Sequence, residues 1–283
     1  MSADAAIRSV ADTALWMASI RAKEAERGDA IVHDRLAAIL AGDRGRKIAR
    51  AFPGSAAVAW GVVVRTSAID RLIIEALQTG VDTVLNLGAG LDTRPYRMDL
   101  PSNIRWIEVD LPEIVELKNA RLLEQTPVCN VERVGFDLSD RSSRKELFAQ
   151  YGAASKNTLL IAEGVIPYFS NDDVESLARD CFSIPSMRHW ILDFDNAGKR
   201  RMPPGWARQL KAAPFLFHVD DWFEFFKQAG WVPRKVITSA EESERINRPC
   251  PFPFPWGLIM RALPEMGRNV LSVSGAVLME KNH

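Results

Sequence analysis

The chain has 283 residues, with 36 Lys and Arg against 36 Asp and Glu, and is 47% hydrophobic and 25% charged. That length fits one α/β domain with extra segments, and the composition is that of an ordinary globular protein. The balanced charge excludes a global field that would draw in nucleic acid or an anionic membrane.

Cys129, Cys181 and Cys250 show no Cys-x-x-Cys spacing, so neither a disulfide framework nor a zinc site is expected and a reducing compartment is implied. Met1 to Ala14 lacks the apolar core of a signal peptide, and no apolar run is long enough to cross a bilayer. The expectation is a soluble, cytoplasmic protein with no membrane partner. Lys199-Arg200-Arg201 is the one short basic run and reads as a solvated loop.

The first eighty residues read as helices only. Ala5–Arg27 and Ile31–Leu40 place apolar residues at helical spacing, with Gly28-Asp29 and Gly42-Asp43 as stops. Ala56–Gln78 reads as a longer helix ending at Gly80. The texture then changes. Short apolar runs at Val81–Leu87, Ile104–Val109, Val131–Phe136, Leu159–Ala162 and His189–Phe194 alternate with helical stretches such as Leu111–Leu123, Ser143–Tyr151 and Asn171–Cys181. Such alternation predicts βαβ units and a parallel sheet covered on both faces.

After Asp195 the alternation breaks. About Asn196 to Gln228, rich in Pro, Phe and Trp, reads as a helical insertion, and Trp231–Thr238 and Asn269–Met279 read as two final strands. Between them, the prolines of Pro249-Cys250-Pro251-Phe252-Pro253-Phe254-Pro255 exclude a regular helix or central strand and predict an extended strap with its phenylalanines inward. The fold expected is a doubly wound, mostly parallel seven-stranded sheet with N-terminal helices and a helical lid. Residues 1–80 form a helical segment packed on the core, and residues 81–283 form the α/β domain, with the lid at about 196–230.

Gly88-Ala89-Gly90 directly follows the first predicted strand. Two glycines there let the backbone turn sharply and let a ligand approach the main chain. Thr93 stands where a dinucleotide fingerprint would carry its third glycine, which argues against a pyrophosphate on the helix N-terminus. Asp110, about twenty residues on, ends the next strand, the place of an acid that binds ribose hydroxyls. Asp137 and Glu163 end the third and fourth strands. Three carboxylates beside a glycine loop repel phosphate and suit a ligand carrying a ribose, an ammonium and a sulfonium, which describes S-adenosylmethionine. Each acid has a plainer alternative as the cap of the following helix.

The run from Asn86-Leu87-Gly88-Ala89-Gly90-Leu91-Asp92-Thr93-Arg94 to Pro95-Tyr96-Arg97, followed by Glu108-Val109-Asp110-Leu111-Pro112, resembles the leucine carboxyl methyltransferase family. It is similar to the bacterial branch that includes polyketide carboxyl O-methyltransferases. Further points of resemblance are Thr13-Ala14-Leu15 through Lys23-Glu24, His33-Asp34-Arg35-Leu36-Ala37, Arg65-Thr66 with Asp70, and Ala162-Glu163-Gly164-Val165.

The resemblance implies that Arg65 binds the cofactor's carboxylate, Gly88, Ala89 and Gly90 approach its methionine part, and Asp110 holds the ribose. Asp137 and Leu138 would flank the adenine and Glu163 would face the ammonium. Met17 stands where protein-directed members carry a lysine, a departure that weighs against a protein C-terminus as substrate; Arg21, one turn later, is the candidate replacement cation.

These readings imply an enzyme moving a methyl group by in-line displacement to an oxygen, carboxylate or hydroxyl, of a small secondary metabolite. A carboxylate needs no base at neutral pH, whereas a phenol gains from one. Carbon or nitrogen acceptors and a protein C-terminal carboxylate remain as alternatives, as does a cofactor-binding protein without transferase activity. The oligomeric state is left open. His218 and Tyr168 are the catalytic candidates, with Tyr96, Tyr168 and Trp206 as candidate acceptor-pocket aromatics. Asp193 and Asp195 end the fifth strand and could hold magnesium, but the resemblance implies a metal-free site.

Overall fold

The computed structural model describes residues 7–52, 55–196 and 211–282. Three helices come first: α1 (Val10–Ala25), α2 (Ala37–Ala51) and α3 (Ser55–Leu77). The alternating part follows as β1 (Thr83–Leu87), α4 (Arg94–Arg97), β2 (Arg105–Asp110), α5 (Pro112–Arg121), β3 (Asn130–Gly135), α6 (Arg141–Ala153) and β4 (Thr158–Ala162). It continues through α7 (Asn171–Ser183) to β5 (Met187–Asp195). The C-terminal part holds α8 (Trp222–Gln228), β6 (Trp231–Thr238), α9 (Ser239–Arg245), α10 (Trp256–Ala262), α11 (Pro264–Leu271) and β7 (Ser274–Lys281).

The strands form one sheet in the order β3-β2-β1-β4-β5-β7-β6. β7 runs antiparallel to both its neighbours, β5 and β6, while the pairings from β3 across to β5 are parallel. β1 and β4 are buried at every position, as central strands covered on both faces must be. The edge strand β3 exposes part of its length.

Alternation along the strands divides the core. Leu85, Leu87, Trp190, Leu192 and Phe194 face a layer closed by α6, α7 and α8, where Trp190 meets Trp231 at 5.3 Å and Phe226 at 5.6 Å. Val84, Trp106 and Ile191 face the opposite layer, against Ile69, Leu72 and Ile73 of α3. Between β1 and β4 the strand order reverses, the point at which an open α/β sheet leaves a crevice at its carboxyl ends.

Five expectations need correction. The second helix begins at Ala37 rather than Ile31, because Asp34 Oδ1 accepts from Ala37 N at 3.0 Å and sets the start there. Gly42 (φ 56°) kinks this helix instead of ending it, and the chain continues because Leu40, Ala41 and Ile48 bury beside α1. Within the expected helical insertion, described residues 211–220 lack regular helix and only Trp222–Gln228 forms one, its first turn capped by Asp221. The final strand starts at Ser274, since Pro264–Leu271 forms α11. The strap turns only part of its aromatic surface inward: Phe252 is half-buried, but Phe254 is 85% exposed.

Candidate active site

Leu87 closes β1, and Gly88 and Gly90 follow it with φ of 64° and 49°, a left-handed region that a side chain disfavours. Gly88 also leaves no room, because a Cβ there would lie 2.5 Å from Val165 Cγ2. The loop is tied to β2 on two sides. Gly88 N donates to Val109 O at 2.8 Å. Gly90 N donates to Asp110 Oδ2 at 2.6 Å, and Asp110 Oδ1 accepts from Leu111 N at 2.7 Å. Burial pushes the Asp110 carboxyl above its ordinary range despite both amides.

A chain of ions crosses the crevice from α3 to β5. Arg65 Nε stands 3.0 Å from Glu163 Oε1, and its Nη1 stands 3.1 Å from Asp193 Oδ2. Asp193 Oδ1 accepts from Gly164 N at 2.8 Å. Arg94, 2% exposed, approaches Asp70 at 2.7 Å, Asp92 at 2.9 Å and Glu163 at 2.8 Å.

These neighbours separate the acids. Burial raises the Glu163 carboxyl, but Arg94 and Arg65 outweigh it and hold the group below the usual range. Asp92 is lowered in the same way, Arg94, Lys118 and Arg97 overcoming burial. For Asp193 burial wins over Arg65 and Gly164 N, so its carboxyl lies above the usual range. Burial likewise raises the Tyr168 phenol, against a hydrogen bond from Thr13 and the nearby Arg65.

These groups open into a cavity of about 760 Å³. Its lining includes Arg65, Gly88, Ala89, Gly90, Asp110, Asp137, Leu138 and Glu163, so every residue proposed from sequence for the cofactor reaches one space. Asp137 is exposed and caps its own turn, accepting from Ser139 N at 2.9 Å and Ser139 Oγ at 2.7 Å. The cap of the following helix is instead Asp140, which accepts from Ser142 N and Ser143 N, so Asp137 closes only its local turn and keeps its other oxygen uncommitted to that turn. The wall opposite the sheet comes from the N-terminal helices: Thr13, Ala14 and Met17 of α1, and Val58, Val62 and Arg65 of α3.

The catalytic candidates separate. Tyr168 lines the cavity, its ring 5.4 Å from Phe215 in an edge contact. His218 is not among the lining residues. It is exposed, and its backbone is clamped by Asn171, whose side chain receives its N–H at 2.9 Å and donates to its carbonyl at 2.7 Å. Tyr96 does not line the cavity either; it is a buried residue of α4, with its hydroxyl 2.5 Å from Arg133 Nη2. Trp206 and Lys199-Arg200-Arg201 lie outside the described residues.

Asp193 and Asp195 both line the cavity, but Asp193 is occupied by Arg65 and Gly164 N. Among the described residues no group of three or more His, Cys, Asp or Glu is placed to hold a metal ion. Arg21 lines the cavity and joins the loop directly, donating to Leu91 O at 2.6 Å and to Asp34 at 2.9 Å.

Sequence reasoning assigned no role to the Asp70–Arg94–Asp92 network. Asp70, Asp92 and Arg94 all lie within the stretches that carry the family resemblance, but only the fold shows that Arg94 is buried among three acids.

Residues 14–181 match the leucine carboxyl methyltransferase family. The chain belongs to that family. It is 30% identical over 271 residues to an inferred S-adenosyl-L-methionine-dependent methyltransferase of Parafrankia sp., covering 87% of this chain and 84% of the relative. Inferred methyltransferases of the same description from Streptomyces coelicolor and Frankia alni are 35% and 34% identical, over 58% of this chain. The matched stretch spans 62% and 61% of those two relatives' own lengths.

Two solved structures share the fold of this family member. A DUF574 family protein from Streptomyces avermitilis superposes with a TM-score of 0.57 at 17% identity, covering 93% of this chain and 96% of the other. A protein from Thermobifida fusca superposes with the same score at 14% identity, covering 98% and 96%. S-adenosylmethionine dependence is the inferred property of the sequence relatives, and the two solved structures share the fold alone. No helix among the described residues is long and apolar enough to cross a membrane.

Proposed function

We propose that this protein uses S-adenosylmethionine to methylate an oxygen of a small secondary metabolite. The observation that carries the proposal is convergence: the glycine loop, three strand-end acids and Arg65, proposed separately from sequence, line one cavity at the carboxyl ends of the strands.

The donor set fits the cofactor. Asp110 offers its remaining lone pairs to ribose hydroxyls, while Gly90 and Leu111 N–H hold it in place. Asp137 and Leu138 border the adenine position, with Asp137 an acceptor for an exocyclic amine. Gly88 and Gly90, with only the small methyl of Ala89 between them, give the methionine part close access to the backbone. Glu163, kept ionised by Arg94 and Arg65, takes the ammonium, and the Arg65 guanidinium takes the carboxylate. When bound, the cofactor supplies a methyl group on a positively charged sulfur. The chain's own residues supply alignment and a dry cavity. We assign the described residues of α1 and α3, with Phe215, to covering the site, and the acceptor pocket to the space beside Tyr168 and Phe215.

Isothermal titration with S-adenosylhomocysteine tests the cofactor assignment, with one saturable site per chain as the expected result. Absence of binding by the folded protein would overturn it.

A further inference from the structure

The order of strands across the sheet is also an order of chemical functions. Asp137 follows β3, Asp110 ends β2, the glycine loop follows β1, Glu163 follows β4 and Asp193 lies near the end of β5. Four strand spacings, roughly 19 Å in all, separate the first from the last. The proposed cofactor assignment uses the first four positions. Asp193 is the next group outward, facing the same cavity and unused by the cofactor.

The charges there decide what can lie beside it. Among the described residues, four arginines and six carboxylates line the cavity. Each arginine is already held: Arg21 by Asp34 and Leu91 O, Arg65 by Glu163 and Asp193, Arg94 by Asp70, Asp92 and Glu163, and Arg97 by Asp70. An acceptor carboxylate would enter as a further anion with no uncommitted arginine to pair it, a costly burial. On the wall of the same cavity Val10, Met17, Val58, Val62 and Phe215 supply apolar surface, and Tyr168, beside Phe215, a polar edge.

We propose that the acceptor is a neutral hydroxyl compound with an apolar body, and that Asp193 is the group that takes its proton. This rests on the cofactor assignment above, because Arg65 turns to the cofactor's carboxylate and leaves Asp193 Oδ2 toward the acceptor. Gly164 N continues to hold Oδ1. In the step, a lone pair of the acceptor oxygen forms the new C–O bond while the methyl carbon's bond to sulfur breaks, its electron pair staying on sulfur. The acceptor's O–H proton passes to Asp193 Oδ2 and later to solvent. A methyl ether, S-adenosylhomocysteine and one proton result. Burial that holds the Asp193 carboxyl above its usual range makes it a better proton acceptor than an exposed carboxylate.

The test compares naphthol with naphthoate, a pair of matched shape and different charge. Titrated into protein saturated with S-adenosylhomocysteine, naphthol is expected to bind at least about tenfold more tightly. With S-adenosylmethionine, the methyl ether is expected as the main product, and Asp193→Asn should lower its formation at least about 100-fold. The same variant should keep its S-adenosylhomocysteine affinity within about threefold, since Gly164 N and the cofactor assignment do not need its charge. Preference for naphthoate, equal binding, binding or turnover of neither compound, or full activity in Asp193→Asn each overturns the proposal. Failure of wild-type protein to bind S-adenosylhomocysteine instead overturns the cofactor assignment beneath it.

Discussion

Arg65 on α3 and Glu163 at the end of β4 are 98 residues apart in sequence and 3.0 Å apart in the crevice. Through this contact the N-terminal helices are joined to the carboxyl edge of the sheet. Arg65→Gln removes the cation from both Glu163 and Asp193, although Glu163 keeps Arg94. The expected outcome is weaker S-adenosylhomocysteine binding by about 1.5–3 kcal/mol, the scale of a hydrogen bond to a charged group. Calorimetry on the folded variant checks it, and unchanged affinity removes Arg65 from the cofactor site.

Asp110 has a double duty that separates two substitutions. Its oxygens accept from Gly90 N and Leu111 N, so Asp110→Ala strips the loop of a partner as well as the ribose. That variant should lose about 1–3 kcal/mol of cofactor binding and also unfold at lower denaturant. Asp110→Asn retains one carbonyl acceptor and should fall between alanine and wild type in both measurements.

Lys281 gives a pH signature remote from the site. Burial lowers its amine to about 8, while Nζ donates to Phe182 O at 2.7 Å and Ile184 O at 2.6 Å at the end of α7. The unfolded amine titrates near 10.5, so between those values the unfolded chain binds more protons than the folded one. Stability contributed by Lys281 is therefore present above pH 10.5 and lost as pH falls through about 8. Denaturant midpoints measured across that window should show this component rising with pH, and the difference between wild type and Lys281→Met should follow the same titration.

The parts of the fold legible in sequence were those where one local signal decides the structure. β1 and β4 are continuous apolar runs bounded by turn residues, and they are central strands for that reason. The glycine loop was visible because its backbone conformation needs glycine. Asp110 and Glu163 were visible because the carboxyl ends of parallel strands meet at one edge. What escaped notice depends on distant packing. The wall formed by Thr13, Met17 and Val62 requires α1 and α3 to fold back over the sheet, and nothing in their spacing states which face meets a ligand. Arg94 reads as an ordinary charged residue until Asp70, Asp92 and Glu163 converge on it. His218 was attractive for its residue type and aromatic neighbours, but the clamp by Asn171 holds its backbone in a segment that leaves the ring outside the cavity lining.

A metal-assisted reaction would need Asp193 and Asp195 to share a cation. Asp193 has one oxygen on Gly164 N and the other on Arg65, whose positive charge opposes a divalent ion at that position. Treatment with EDTA should leave methyl transfer unchanged. Loss of turnover that magnesium restores would show that the carboxylates rearrange to bind it.

Gly88 and Val165 provide the most direct probe of how closely the loop is fitted. At Gly88 a Cβ would meet Val165 Cγ2 at 2.5 Å, and φ of 64° adds a conformational penalty for any side chain. Gly90, with φ of 49°, has only Ala14 Cβ at 3.6 Å, so it carries the conformational penalty without the collision. Gly90→Ala should cost about 1–2 kcal/mol of stability, and Gly88→Ala that amount plus about 1–3 kcal/mol of overpacking. Because Val165 Cβ would itself stand at 2.8 Å, Val165→Gly is the substitution that clears the clash, and in the Gly88→Ala background it should return much of the second part and none of the first. A double-mutant cycle by chemical denaturation measures the difference, with an expected coupling of about 1 kcal/mol or more. Strict additivity would mean that the loop, and not Val165, yields to the added methyl group.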